Sequence, residues 1–192
     1  VIIGGGGEGL ATAYYLAKKY GVTNVAVLEA GWLGGGNTGR NTQVVRSNYF
    51  YPQSAEFFDH SLKLYETLGK ELNYNIMFSQ RGVLNLAHSR PEMEQMQRWC
   101  NAIQLQGIDS KMVTPEQIAQ SVSGINMSAS ARYPILGGFT QPRGGIIRHD
   151  AVAWGYARQA DSLGVDIIQN CRVTGIKREG NRVVGVETTR GP

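Results

Sequence analysis

The chain has 192 residues, 42% hydrophobic and 18% charged, so it can bury a core and is not a disordered tract. Nineteen basic and fifteen acidic residues leave a net charge of +4, and the bases are scattered rather than set in a stripe, which gives nucleic-acid binding no footing. Cys100 and Cys171 are the only cysteines; without a CxxC they announce neither a disulfide framework nor a zinc site, as fits a reducing compartment.

In chain order, Val1-Ile2-Ile3 reads as the end of a buried strand. It runs straight into a G-x-G-x-x-G motif at Gly4, Gly6 and Gly9. From Leu10 to Tyr20 the apolar residues Leu10, Ala13, Tyr14, Leu16 and Ala17 keep helical spacing, and Gly21 is the stop. Val25 to Leu28 is a second apolar strand, ending in Glu29, 20 residues after Gly9. Each part has a physical task in dinucleotide binding. Gly4 permits the tight turn, Gly6 lets backbone approach a pyrophosphate, and Gly9 lets the helix pack close to the strand with its N-terminus facing the phosphates. An acid at the end of the second strand accepts hydrogen bonds from ribose hydroxyls and repels a 2′-phosphate, which favours FAD or NAD over NADP. The glycine motif alone is a weak signal, whereas strand, glycines, helix, strand and acid together are a strong one.

Directly after Glu29 comes a Gly/Asn/Thr-rich loop where a nicotinamide domain would continue into helix and strand. It suits a flavin, and it supplies Ala30, Gly36, Asn37, Thr38, Arg40, Asn41 and Thr42 as candidate contacts; an ordinary flexible loop is the alternative. Arg46 follows as a fixed charge in an uncharged stretch. An arginine there can grip a carboxylate with two parallel hydrogen bonds and orient a small amino acid, or serve as a structural ion-pair residue. Arg40 is open to a phosphate role.

Further along, the spacing predicts a helix from Ser54 to Leu72, a strand from Phe78 to Ala87, a helix from Arg90 to Gln106, and a short helix capped by Thr114 with Pro115 at its first position. Strand-like pieces lie between Tyr133 and Ile147. Asp150 is expected to cap a helix running to about Leu163, and strands are expected at 165–169, 171–177 and 182–187, the last two joined as a hairpin at Glu179-Gly180-Asn181. No apolar run reaches membrane-spanning length. The order predicts an α/β fold: a Rossmann-like dinucleotide-binding domain interleaved with the start of a mixed-sheet substrate domain. The expected segments are 1–50 for the βαβ unit and flavin loop, 51–145 for an inserted region, and 146–192 for a return to the first domain. The chain begins inside a strand without an initiator Met, and reads as the N-terminal part of a longer protein.

Three stretches carry a resemblance: IIGGGGEGLATAYYLAKKYG (2–21), VAVLEAGWLGGGNTGRNTQVVRSNYF (25–50) and GGFTQPRGGIIRHDAVAWGYARQA (137–160). They resemble the glycine oxidase, D-amino acid oxidase and monomeric sarcosine oxidase group of amine-oxidising flavoenzymes, and within it the beta subunits of heterotetrameric sarcosine oxidases. The resemblance implies non-covalent FAD, and an FMN covalently attached to a histidine at the interface with a larger alpha subunit, with small subunits besides. It implies oxidation of sarcosine to an imine, giving glycine and a one-carbon unit, with electrons passing through FMN to oxygen to form hydrogen peroxide. His149, in IIRHDAV, matches the attachment site. Arg46, in TQVVRSNY, matches the arginine that contacts substrate carboxylate. Val173, in CRVTGI, sits where backbone groups hold the adenine.

A neutral imidazole nitrogen is a plausible nucleophile toward a flavin methyl group, although read without the resemblance His149 is a surface histidine before a helix. His60 and His88 lack such context. The group has a histidine where this chain has Glu8, a carboxylate among phosphate-facing residues. Related amine oxidation (dimethylglycine, glycine or a D-amino acid), a dehydrogenase using an electron carrier, and a non-catalytic flavin scaffold stand as alternatives. The expected setting is a cytoplasmic hetero-oligomer with no metal, no membrane and no nucleic-acid partner, in which this segment alone is inactive.

Overall fold

A computed structural model describes residues 1–191. The first elements are β1 (Ile2–Ile3), α1 (Gly7–Tyr20) and β2 (Ala26–Leu28), followed by a single 3-10 turn at Asn37–Arg40. α1 begins a turn earlier than its apolar spacing indicated, because the last glycines of the motif are themselves helical. It ends where Gly21 takes a left-handed φ of 65° and donates its N–H to the Ala17 carbonyl, the conformation in which glycine carries no Cβ penalty. Glu8 lies in the first turn and Lys18 and Lys19 in the last, each matched to the helix dipole.

The middle of the chain contains β3 (Val44–Val45), α2 (Pro52–Glu71), β4 (Val83–Ala87), α3 (Arg90–Leu105), β5 (Lys111–Val113), α4 (Pro115–Ser121), β6 (Gly137–Gln141) and β7 (Gly145–Ile146). Ser89 caps α3 through the Glu92 N–H, and Thr114 with Gln117 forms a reciprocal capping box on α4. β4 is shorter than the alternation from Phe78 suggested. Met77 and Gly82 both have positive φ, 53° and 82°, and these turns leave Ser79 only an isolated bridge to Ile146.

The chain closes with α5 (His149–Ser162), β8 (Asp166–Ile168), β9 (Val173–Glu179) and β10 (Arg182–Thr188). The expected cap on α5 is corrected here. Arg148 is the N-cap, His149 is the first helical residue, and Asp150 lies inside the first turn, accepting from the Ala151 N–H at 2.9 Å. Asp150 also pairs with Arg148 at 2.7 Å, which holds its carboxyl below the usual range.

Contacts divide the chain into two units. The first comprises Val1–Gln43, Leu68–Met77 and Ile147 onward; the second comprises Val44–Thr67 and Phe78–Ile146. In the first, β1, β2 and β8 form a parallel sheet in the order β1-β2-β8. α1 and α5 pack together, burying Ala13 and Ala17 on one and Ala153 and Ala157 on the other, with Tyr14 and Tyr156 meeting at 5.6 Å between ring centroids. β9 and β10 form an antiparallel hairpin turned at Gly180, φ 58°. Residues 166–168 thus return to pair with β2, completing the parallel α/β arrangement expected from the order of elements.

In the second unit β4-β6-β5 is an antiparallel sheet and β3 pairs with β7. Its core is Ala55, Cys100, Ile103, Ile108 and Phe139, with Tyr49, Met96, Trp99 and Met112 packed against it. Among the described residues no helix is long and apolar enough to cross a membrane.

Candidate functional site

In the first unit the glycine motif, Glu29 and the following loop form one construction. Gly4 leaves β1 with φ 107° and donates its N–H to the Leu28 carbonyl at 2.8 Å. Gly9 has the tightest requirement: a Cβ there would lie 2.1 Å from the Gly4 carbonyl oxygen. At Gly6 a Cβ would lie 3.0 Å from the Thr38 hydroxyl.

The carboxylate of Glu29 is held on both oxygens. Oε2 accepts from the Gly5 N–H at 2.8 Å and Oε1 from the Gly31 N–H at 2.7 Å. A carboxylate has about four acceptor directions, so capacity remains for hydroxyl donors. The Glu29 backbone is fixed too, donating to the Ile168 carbonyl and accepting from the Cys171 N–H at 2.8 Å. That last bond ties the approach to β9, and with it half-buried Val173, to the end of β2. Exposed Ala30 follows Glu29 directly.

The loop after Glu29 folds back onto the glycines. Gly34 donates to the Gly5 carbonyl at 2.9 Å, and Thr38 Oγ1 accepts from the Gly7 N–H at 2.9 Å, so a side-chain oxygen occupies one of the unpaired donors of the α1 N-terminus. Asn37, Thr38 and Arg40 form the 3-10 turn after Gly36. The Asn41 side chain donates to the Thr38 carbonyl and accepts from the Gln43 N–H, both at 2.7 Å. Arg40, Asn41 and Thr42 are exposed at the outer end of this turn. The structure therefore gathers Gly4, Gly6, Gly9, Glu29 and Thr38 around the α1 N-terminus. Sequence reasoning missed the backbone donors of Gly5 and Gly31, since a main-chain N–H leaves no mark in residue type.

His149 is partly buried, and its Nδ1 is fully buried without a hydrogen-bond partner. Its chain neighbours Arg148 and Asp150, with Tyr74, Asn75, Met77, Ala151 and Trp154, line a cleft of about 330 Å³ that His149 itself does not line.

In the second unit Arg46 is half-buried. Its Nη1 donates to Asn48 Oδ1 at 2.8 Å, and its guanidinium lies over the Tyr49 ring at 4.3 Å. Tyr49 in turn stacks on Phe58 at 4.1 Å. Among the described residues no carboxylate forms an ion pair with Arg46, so the structural ion-pair alternative finds no partner there.

The family model for FAD dependent oxidoreductases matches residues 1–192. The chain belongs to that family. It is 55% identical over its full length to sarcosine oxidase subunit beta of Arthrobacter sp and 56% identical to that of Rhizobium meliloti (strain 1021), covering 47% and 46% of them. The chain thus spans about half the length of the curated relatives it matches. Among solved structures it superposes on glycine oxidase from Bacillus cereus with a TM-score of 0.86 and 24% identity, covering 99% of this chain and 51% of that one; at that identity the likeness speaks to fold alone. Membership in the FAD dependent oxidoreductase family decides between the two dinucleotides that Glu29 left open, in favour of FAD.

The residues present fit such a group: close-approach glycines, a helix N-terminus, and a carboxylate with acceptor capacity to spare. Among the described residues no cluster of His, Cys, Asp and Glu is arranged to hold a metal.

Proposed function

We propose that this chain is part of a sarcosine-oxidising flavoprotein subunit, which binds FAD non-covalently in its first unit and carries a covalent FMN on His149. The observation that carries the reading is Arg46: a half-buried guanidinium whose partners among the described residues are neutral, in a chain more than half identical to relatives named sarcosine oxidase subunit beta. An uncompensated guanidinium of this kind favours an anionic ligand, and the carboxylate of a small amino acid matches its fork.

In this reading Gly4, Gly6 and Gly9 let the backbone reach the pyrophosphate, while the α1 N-terminus supplies N–H donors and a favourable dipole. Glu29 accepts the ribose hydroxyls, with Ala30 and Val173 offering backbone beside the adenine. Gly36, Asn37, Thr38, Asn41 and Thr42 line the onward path of the cofactor, and Arg40 balances phosphate charge. Bound FAD would accept the two electrons lost as the N-methyl amine becomes an imine, which water hydrolyses to glycine and a one-carbon unit, and FMN would pass those electrons to oxygen, reducing it to hydrogen peroxide. Arg46 fixes the substrate by its carboxylate. The free state of Cys100 and Cys171 suits a cytoplasmic protein, and the histidine attachment suits assembly with a larger alpha subunit and small subunits.

His149 fits covalent attachment because no hydrogen bond among the described residues engages it, and the partnerless Nδ1 is a buried polar atom kept at a cost. The test is flavin fluorescence of the full-length chain on a denaturing gel after co-expression with its partner subunits. A fluorescent band that disappears in His149→Ala is expected. A parent chain without fluorescence that still releases FAD on denaturation points to a single-flavin enzyme.

Glu8 yields a smaller prediction. It is exposed in the first turn of α1, where its charge opposes a pyrophosphate. Glu8→Gln is expected to tighten FAD binding by about two- to five-fold at low ionic strength, the size of a surface charge–dipole effect, with the gain fading as salt is added. Titration of apo full-length protein with FAD at two salt concentrations checks it.

A further inference from the structure

Gln141 is wholly buried at the end of β6, and the main chain it binds lies 93 and 94 residues away. Its Oε1 accepts the backbone N–H groups of Ser47 at 2.9 Å and Asn48 at 3.2 Å, and its Nε2 donates to Ser47 Oγ at 2.6 Å. A longer bond, 3.4 Å, runs from Nε2 to Asp109 Oδ1. One amide therefore replaces the sheet partner that residues 47 and 48 lose on leaving β3. These are the residues directly after Arg46.

Both supports of the Arg46 guanidinium stand on that turn. Asn48 Oδ1 takes its Nη1 proton and the Tyr49 ring lies beneath it, while the Tyr49 N–H donates to the Ser47 carbonyl at 2.7 Å. Asn48 is wholly buried and its Nδ2 has no partner. Arginine only donates, so the amide oxygen must face Arg46 and the amide N–H is left unmet, a destabilising arrangement retained where it steadies the guanidinium. Every group in this support is neutral. Asp59 and Asp109 touch this support only at the hydroxyl of Ser47 and the amide of Gln141 and are otherwise engaged by Lys63 and Arg143; among the described residues neither pairs with Arg46, so its charge is held in place without being cancelled.

We propose that Gln141 is a positioning residue: through the Ser47–Asn48 turn it fixes the Arg46 guanidinium for its carboxylate ligand, with Asn48 as the direct support. This rests on the reading that Arg46 binds the substrate carboxylate. The test uses the full-length chain assembled with its partner subunits, comparing Gln141→Leu, Asn48→Asp, Arg46→Ala and the Arg46→Ala/Gln141→Leu double variant. Two quantities are read: KM and kcat for sarcosine, and the Kd of acetate from its perturbation of flavin absorbance.

Gln141→Leu is expected to raise KM and acetate Kd by about ten-fold, the size of a lost buried hydrogen bond, with kcat within about two-fold. In the Arg46→Ala background the same change adds nothing. Asn48→Asp keeps the acceptor but places a carboxylate on Arg46, and raises both quantities at least as much. An unchanged KM in Gln141→Leu, or an equal factor with and without Arg46, overturns the positioning role while leaving the Arg46 reading intact. If Arg46→Ala itself leaves KM unchanged, the underlying reading falls and the inference with it. Should Gln141→Leu not fold, Gln141→Glu decides, since it keeps the size and the acceptor but loses the Nε2 bond to Ser47: raised KM at parent flavin content supports the inference, and unchanged KM overturns it.

Discussion

Arg46→Ala in the full-length, assembled protein is expected to raise the KM for sarcosine by about two orders of magnitude, the cost of truncating one partner of a charged, hydrogen-bonded pair. The effect is large because guanidinium and carboxylate meet through two charge-assisted bonds, and because among the described residues only Asn48 and the Tyr49 ring share that guanidinium. Arg46→Lys restores the charge but loses the planar fork and its stacking on Tyr49, so an intermediate loss of about ten-fold is expected. The fold should persist with a modest loss of stability, about 1–3 kcal/mol, since the buried Asn48 Oδ1 loses its donor. Steady-state oxygen uptake against sarcosine concentration checks the prediction, with thermal melts as the control. An unchanged KM would remove Arg46 from substrate binding.

The second large effect is expected at Gly9. Gly9→Ala sets a methyl group 2.1 Å from the Gly4 carbonyl oxygen, a backbone atom that cannot swing aside. Gly4 is fixed by its bond to the Leu28 carbonyl and by a φ of 107°. Relief therefore has to come from lifting α1 off β1, which moves the N–H groups intended for the pyrophosphate. The variant is expected to purify without FAD and to melt at lower temperature than the parent chain. Gly185→Ala, in the same unit, places its methyl at ordinary contact distance, 3.8 Å from the Lys177 side chain, and is expected to keep its flavin. Flavin released on denaturation, measured per chain, separates the two. FAD retained at the parent level in Gly9→Ala would contradict the close-approach role.

Much of the first unit was legible because its signals are local. The glycines, the helix spacing and the acid at the end of β2 fall within 29 consecutive residues, each with a steric or electrostatic reason tied to its position. The return of β8 to β2 followed from the order of elements. Less legible were the features set by distant partners. β3 and β5, two and three residues long, exist because β7 and β6 lie alongside, and their own residues carry no alternation to read. β4 lost its first half to left-handed backbone at Gly82, and the start of α5 moved because Asp150 turned to Arg148 and Ala151 instead of capping from outside. The amide of Gln141 left no trace in sequence, since its partners are backbone groups of a segment more than ninety residues earlier.

The most direct measurement is anaerobic addition of sarcosine to the purified full-length chain with its partner subunits, following the flavin absorbance band. Bleaching of that band, with one FAD per chain released on later denaturation, is the expected result. A protein that carries FAD yet keeps its oxidised spectrum in saturating sarcosine would contradict a sarcosine-oxidising subunit, and a protein without FAD would contradict the cofactor site itself.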